Sequence, residues 1–255
     1  MSFVPYVKHR NVEGVDLDFL ISDCVSVLWG YDTDDPVWLE MRFIRDHLVA
    51  TGDVVMECGG HRGLTAIMLS KWVGSSGRVV TFEPDARNAE ILRQNIELNH
   101  LTNVSVEQKA VGARKTKAAL SRYSNMETGN LQYIAKKWRR TKGNEVDMVT
   151  LDDYVSLNPS LIKIDVEGYE LEVLKGAKRI LANHPKLAIE VHTDVLKLHG
   201  TSVDKLLDCI ELDSYEMYVQ WDDKEMPVLL DRDVQISGHE TPNPWLHIFG
   251  IPKNV

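Results

Sequence analysis

Cysteine is scarce. Only Cys24, Cys58 and Cys209 occur in 255 residues, odd in number and widely scattered. Such spacing encodes neither a disulfide framework nor a zinc knuckle. No run of 18 apolar residues occurs, and Met1 to Arg10 has no apolar stretch of the leader type. The expectation is therefore a cytoplasmic protein without a membrane span. Positive charge is also in deficit. With 29 Lys and Arg against 38 Asp and Glu, the formal net charge is −9. That argues against nucleic-acid binding driven by phosphate neutralisation, although it leaves room for a local basic patch.

What is present reads as an ordinary globular chain, 44% apolar and 26% charged. Its length is generous for one domain and short for two, and its core needs no metal or disulfide to fold. From Asp53 onward, short apolar runs alternate with amphipathic segments. Val54-Val55-Met56 predicts a buried strand, followed by a glycine-rich turn and a helix carrying Leu64, Ile67, Met68 and Trp72. Val79 to Phe82 predicts a second strand, and Asp85 a helix N-cap before Ile91, Leu92 and Ile96. Val104 and Val106 mark a third strand and Leu161 to Val166 a fourth, before a helix face of Leu171, Leu174, Ala177 and Leu181. Leu187 to Val191 is a further strand, Val203 to Ile210 a further helix, and Tyr215–Trp221 and Trp245–Ile251 are β-like. This alternation predicts an α/β fold with a mostly parallel sheet covered by helices on both faces.

Two regions fall outside the alternation. Residues 1–50, with the polar stretch Asp32 to Asp35 and a helix expected over Val37 to Val49, read as an N-terminal cap or helical extension beside a domain of residues 51–255. Residues 123–145 read as an insertion, with Lys136, Lys137, Arg139, Arg140 and Lys142 around Trp138. Either this is a solvated face or it is a flap meeting an anionic or sugar-bearing acceptor.

Glu57-Cys58-Gly59-Gly60-His61-Arg62-Gly63 joins the first strand to the first helix, where open α/β sheets take nucleotide-like ligands. A dinucleotide fingerprint places glycines at positions one, three and six. Here Gly59, Gly60 and Gly63 fall at one, two and five, so the NAD reading fails. Phe82-Glu83-Pro84 ends the second strand, and a carboxylate there can accept hydrogen bonds from both hydroxyls of a ribose.

The turn resembles the acidic-x-Gly-x-x-x-Gly form of motif I in class I methyltransferases, with His61 at the middle glycine. The tract Ile162-Lys163-Ile164-Asp165-Val166-Glu167-Gly168-Tyr169-Glu170-Leu171-Glu172-Val173-Leu174-Lys175-Gly176-Ala177 resembles the signature of FkbM-type methyltransferases. So do Phe82-Glu83-Pro84, Ala110-Val111-Gly112, Thr150-Leu151-Asp152-Asp153 and Ile189-Glu190-Val191-His192, in that family's order. The resemblance implies a class I, Rossmann-like fold with a seven-stranded sheet. It also implies O-methylation with S-adenosyl-L-methionine, often of sugar hydroxyls in glycans or secondary metabolites. It covers neither the first fifty residues nor the basic insertion.

On that reading Gly59, His61 and Gly63 hold the methionine end, and Glu57 anchors the turn or the cofactor ammonium. Glu83 takes the ribose, and Glu107 to Ala110 border the adenine. Asp165, Glu167, Glu190 and His192 converge at the carboxyl edge beside the methyl group, Glu190 and His192 sharing one strand face. His192 would serve as a base near neutral pH, or Asp165 and Glu167 would activate the acceptor directly. Alternatively Asp165, Glu167 and Glu190 bind a divalent cation that acidifies the acceptor hydroxyl. Glu190 pairing with Lys163 is the plain structural alternative. A methyl-ester-forming enzyme and a non-catalytic cofactor-binding subunit are the competing functions. A nucleic-acid methyltransferase would show an Asn-Pro-Pro-Tyr-like tetrapeptide where Asp165-Val166-Glu167-Gly168 stands. The expected partner is a small-molecule or glycan acceptor, with no nucleic acid, and the chain is compatible with a homodimer.

Overall fold

The computed structural model describes residues 3–28, 30–33, 38–120, 144–230 and 245–253. The basic residues around Trp138 and most of the 123–145 insertion lie outside these.

The chain opens with a hairpin that the sequence reading missed. Strands β1 (Tyr6–Val12) and β2 (Val15–Ile21) pair antiparallel around Glu13 and Gly14. Both turn residues have positive φ, 48° and 82°, which suits a two-residue hairpin turn. Val15, Leu17, Phe19 and Ile21 alternate inward and are buried. Helices α1 (Cys24–Leu28) and α2 (Leu39–Phe43) follow, the latter running on as a π-helical turn over Ile44–Leu48.

The central unit then begins with β3 (Val54–Cys58), α3 (Leu64–Val73), β4 (Arg78–Phe82), α4 (Ala86–Leu98) and β5 (Val104–Glu107). Asp85 caps α4 as expected, its carboxylate accepting from the backbone N–H groups of Arg87 and Asn88. A small sheet follows, made of β6 (Ala110–Val111), β7 (Thr116–Leu120) and β8 (Asn144–Val149) in the order β6-β8-β7. A 3₁₀ segment, Leu151–Leu157, starts with a capping box between Thr150 and Asp153. Then come β9 (Leu161–Ile164), α5 (Glu170–Lys175), α6 (Lys178–Leu181), β10 (Lys186–His192), α7 (Thr193–Leu198) and α8 (Val203–Leu207). Strands β11 (Tyr215–Gln220), β12 (Val228–Leu229) and β13 (Trp245–Pro252) complete the chain.

The main sheet has the order β12-β11-β13-β10-β9-β3-β4-β5. Strands β10, β9, β3, β4 and β5 are parallel, and β13, β11 and β12 pair antiparallel. Among the described residues it holds eight strands where seven were expected, because the two-residue β12 adds an edge. The helix expected over Leu171 to Leu181 is two helices, broken at Gly176 and Ala177. An added Cβ on Gly176 would lie 2.1 Å from the Gly112 carbonyl oxygen, so the backbones meet there. The Asp152 carboxylate also accepts from the N–H groups of Arg179 and Ile180, starting α6 afresh.

Helices cover both faces. On one, Val173, Leu174, Ile180, Leu196 and Leu206 pack on Ile162, Ile164 and Ile189. On the other, α3 packs with the hairpin and α2, so that Phe19, Met41 and Phe43 share a core with Ile67, Met68 and Phe249. Helix α4 extends the hairpin edge. The Asn95 and Asn99 side-chain oxygens accept from Leu20 N–H and Asp18 N–H at 2.8 and 3.0 Å. Truncating the fully buried Phe19 should cost about 3–5 kcal/mol. No helix among the described residues is long and apolar enough to cross a membrane.

Candidate active site

A cavity of about 620 Å³ runs along the carboxyl edge of the sheet. It is lined by the turn after β3 (Gly59, Gly60, His61), by Glu83 after β4 and by Asp165 and Glu167 after β9. Glu190 on β10, His247 on β13 and Gln220 on β11 continue it. Tyr31, Trp38 and Glu40 close it from the N-terminal region. This is the crevice where parallel sheets bind ligands.

Gly59 shows why the first turn is glycine. Its φ is 93°, and a Cβ would lie 1.8 Å from the Asp165 carbonyl oxygen. Its N–H and that of Gly60 both donate to the Phe82 carbonyl, tying the turn to the end of β4. Glu83 is buried, and its two carboxylate oxygens accept from the His61 and Asp85 N–H groups, each at 2.8 Å. Burial outweighs those bonds and raises its pKa to about 8. The Asn88 side chain is a further partner, so the carboxyl group is held fixed at the cavity wall. The His61 ring meets the Tyr31 hydroxyl at 2.5 Å, and burial lowers its pKa to about 3. It is a neutral wall.

Not every expected cofactor residue reaches the cavity. Glu57 is completely buried and accepts from the Thr65 hydroxyl, so it anchors the turn to α3 and does not line the cavity. Gly63 caps α3 in the left-handed region, behind the lining residues. Ala110 starts β6, pairs with Met148 and does not line the cavity. Glu107 is occupied by Lys109 at 2.5 Å and by the Tyr154 hydroxyl at 3.2 Å.

The converging carboxylates do meet. Lys163, Asp165, Glu190 and His192 meet around β9 and β10, and buried Lys163 lies 3.7 Å from Asp165. His192 Nε2 is 3.2 Å from Glu167 and 3.6 Å from Glu190, while Nδ1 is 3.1 Å from the fully buried Glu170. Burial opposes charge on His192, yet the Glu170 bond and the Glu167, Glu190 and Asp165 carboxylates outweigh it and raise the ring to about 10. The expectation of a histidine base near neutral pH is therefore not what this environment favours. Burial likewise works against charge on Glu190, but His247, His192 and Lys163 hold it at about 2. Asp165 is driven well up by burial and by neighbouring Glu190. Adjacent carboxylates divide in this way because both cannot cheaply ionise.

Three residues important to the cavity escaped the sequence reading. His247 has no local spacing signal, but its Nε2 lies 3.2 Å from Glu40 and 3.4 Å from Glu190. Gln220 and Glu40 carry none either. The pairing of β13 with β10 and β11 and the packing of α2 bring the three to the cavity, and no local pattern encodes that.

A mostly parallel sheet with a glycine turn after one strand, an acidic residue ending the next and a cavity across both defines the class I methyltransferase fold. An rRNA methylase from Streptococcus thermophilus shares it, with a TM-score of 0.50 at 13% identity over 87% of this chain and 99% of that one. A methyltransferase FkbM from Methylobacillus flagellatus KT superposes with a TM-score of 0.49 at 22% identity, over 78% of this chain and 43% of that one. Residues 57–217 match the model of the methyltransferase FkbM domain, and the chain belongs to that family. "Methyltransferase 1" of Beauveria bassiana (strain ARSEF 2860) is 28% identical over 144 residues, 48% of this chain. The match spans 57% of that relative's length.

Proposed function

We propose that the chain is an S-adenosyl-L-methionine-dependent O-methyltransferase acting on a hydroxyl of a saccharide or secondary metabolite. One observation carries this reading: a single cavity joins the Gly59–Glu83 turn region to the Asp165–Glu190 cluster. The cofactor, when bound, supplies a methyl group on a positively charged sulfur. Glu83 would hold its ribose, and Gly59 and Gly60 would admit its amino-acid end close to the backbone. Asp165 lines the cavity beside Lys163 and, once the positive sulfur of the cofactor favours its ionised form, would accept the proton of the acceptor hydroxyl. His192, clamped by Glu170, has a positioning role, holding Glu167 and Glu190. Proton removal of this kind contributes about 10²–10⁴ in rate.

A second reading of the same cluster has its own support. Ligand atoms of Asp165, Glu190 and His192 lie within 4.8 Å of one another, a geometry that would suit a divalent cation. Here His192 replaces Glu167 in the expected ligand set. A carboxylate acceptor is disfavoured, because Glu40, Asp165, Glu167, Glu190 and Asp223 line the cavity against Lys163 and His247. Three free cysteines agree with a cytoplasmic location.

The test is transfer of labelled methyl groups to a panel of glycans, hydroxylated metabolites and carboxylic acids, with and without chelator. Transfer to hydroxyls that survives chelation supports Asp165 as base, and loss on chelation supports the cation. Transfer only to carboxylic acids overturns the hydroxyl reading.

A further inference from the structure

The cavity continues past Asp165 and Glu190 to a far end that the methyl-transfer chemistry does not use. There β11 and β13 lie side by side, with Gln220 and His247 as register partners. Both are almost completely buried, Gln220 at 2% and His247 at 5% exposure. The Gln220 Nε2 donates to the Glu225 carbonyl at 2.8 Å. A carbonyl only accepts, so the amide orientation is fixed and Oε1 is the atom left over. It has no hydrogen-bond partner, and neither has His247 Nδ1, which lies 4.0 Å from the Asp223 carboxylate. Trp38 and Trp245 line the same end, and the Trp245 indole N–H reaches Asp223 at 3.4 Å.

Buried polar atoms without partners are costly, and two that adjoin in one ligand cavity point to a ligand that completes them. The chemistry of the pair narrows what that is. Gln220 Oε1 needs a donor. His247 Nδ1 accepts or donates according to its protonation. A hydroxyl satisfies both atoms in either state, because it donates and accepts at once. A carboxylate cannot donate to Gln220, and a carboxylate or phosphate would face the carboxylates of Glu40, Glu190 and Asp223. An ammonium cannot accept from a protonated His247.

We propose that Gln220 and His247 form a subsite that reads a second, non-reacting hydroxyl of a neutral polyhydroxylated acceptor, and so sets which hydroxyl lies at Asp165. This rests on the methyl-transfer reading of the cavity. Gln220 on β11 stands three strand spacings from β9, about 14 Å, and His247 on β13 stands two, about 10 Å. The hydroxyl that is read therefore stands several bonds from the one that reacts. Acceptors lacking it leave both protein atoms unpaired, the situation in which binding sites discriminate most strongly.

The test uses the full chain loaded with S-adenosylhomocysteine and saturation-transfer NMR on a fixed panel. The panel holds neutral mono- and disaccharides, their deoxy analogues and the matching uronic acids. At least one neutral member should bind, and its deoxy analogue at one position and its uronic acid should not. Gln220→Leu should weaken that binding about tenfold or more, while S-adenosylhomocysteine affinity stays within a factor of about two. Where Gln220→Leu melts early, Gln220→Met and His247→Gln serve under the same criterion. Binding unaffected by either position, preference for the uronic acids, or no neutral binder in the panel overturns the subsite. Failure of the parent chain to bind S-adenosylhomocysteine would instead overturn the methyl-transfer reading itself.

Discussion

At the cofactor end of the cavity, contacts come from turns that directly follow β3 and β4, and much of the geometry is backbone. Gly59 and Gly60 donate to Phe82, and His61 and Asp85 donate to Glu83. At the far end, contacts come from side chains on α2, β11 and β13: strand pairing sets Gln220 beside His247, and the packing of α2 brings Glu40 to His247. The first arrangement is rigid and tolerates little change, as the 1.8 Å approach at Gly59 shows. The second is a set of side chains on a fixed frame, which can change without disturbing the turn.

The largest expected effect lies between the two ends. Asp165→Asn keeps shape and removes the proton-accepting oxygen. It should lower kcat by about 10²–10⁴, or about 3–5 kcal/mol of barrier, with cofactor affinity nearly unchanged. Single-turnover kinetics beside binding calorimetry separates the two quantities, and full turnover in this variant would remove Asp165 from the chemistry.

A smaller effect concerns the frame of the cofactor end. Asp23 pairs with buried Arg62 at 2.8 Å and with Arg87 at 2.5 Å, joining the N-terminal region to the cofactor turn and α4. Burial alone would raise the Asp23 pKa, but bonds from Arg62 and the Ser26 N–H, with the nearby Arg87 charge, hold it at about 2. Because the folded value lies below the unfolded one, this stability is present above about pH 4. It is lost as the pH falls through about 2. The contribution is at most about 2 kcal/mol, reduced by screening on the exposed Arg87 side. Denaturant melts at pH 6 and pH 2.5 should differ less for Asp23→Asn than for the parent. An equal difference would mean that the pair contributes no pH-dependent stability.

The smallest effect sharpens the contrast from the other side. Glu40→Gln removes one carboxylate beside His247 without touching the turn. Cofactor affinity should stay within a factor of about two, and any change should appear in acceptor KM. A loss of cofactor affinity would mean that the two ends are not separable.

The two ends also differ in how legible they were. Strands β3, β4, β5, β9 and β10 were readable because each is a short apolar run bounded by turn residues, and Asp85 was readable as a cap. Glu83, Asp165, Glu190 and His192 could be singled out because each lies at or near the carboxyl end of a strand, a position fixed by local sequence. The β1–β2 hairpin was missed because Lys8 and Arg10 occupy the inward positions of β1 and break its apolar alternation, and Glu13-Gly14 is a weak turn signal. The break at Gly176 was missed because helical spacing continues through it while the cause, Gly112, lies on another segment. Ala110 was placed at the adenine from resemblance alone, and its pairing with Met148 turns it into the small sheet. His247 and Gln220 had no local signature, since antiparallel return of the chain creates their neighbourhood.

Calorimetric titration of S-adenosylhomocysteine into the parent chain, Glu83→Ala and Gln220→Leu tests the division of the cavity most directly. Removing the ribose acceptor should weaken binding by about 1.5–3 kcal/mol, roughly ten- to a hundredfold, while Gln220→Leu leaves it within a factor of about two. Equal affinity in Glu83→Ala and the parent, or comparable losses in both variants, would contradict it.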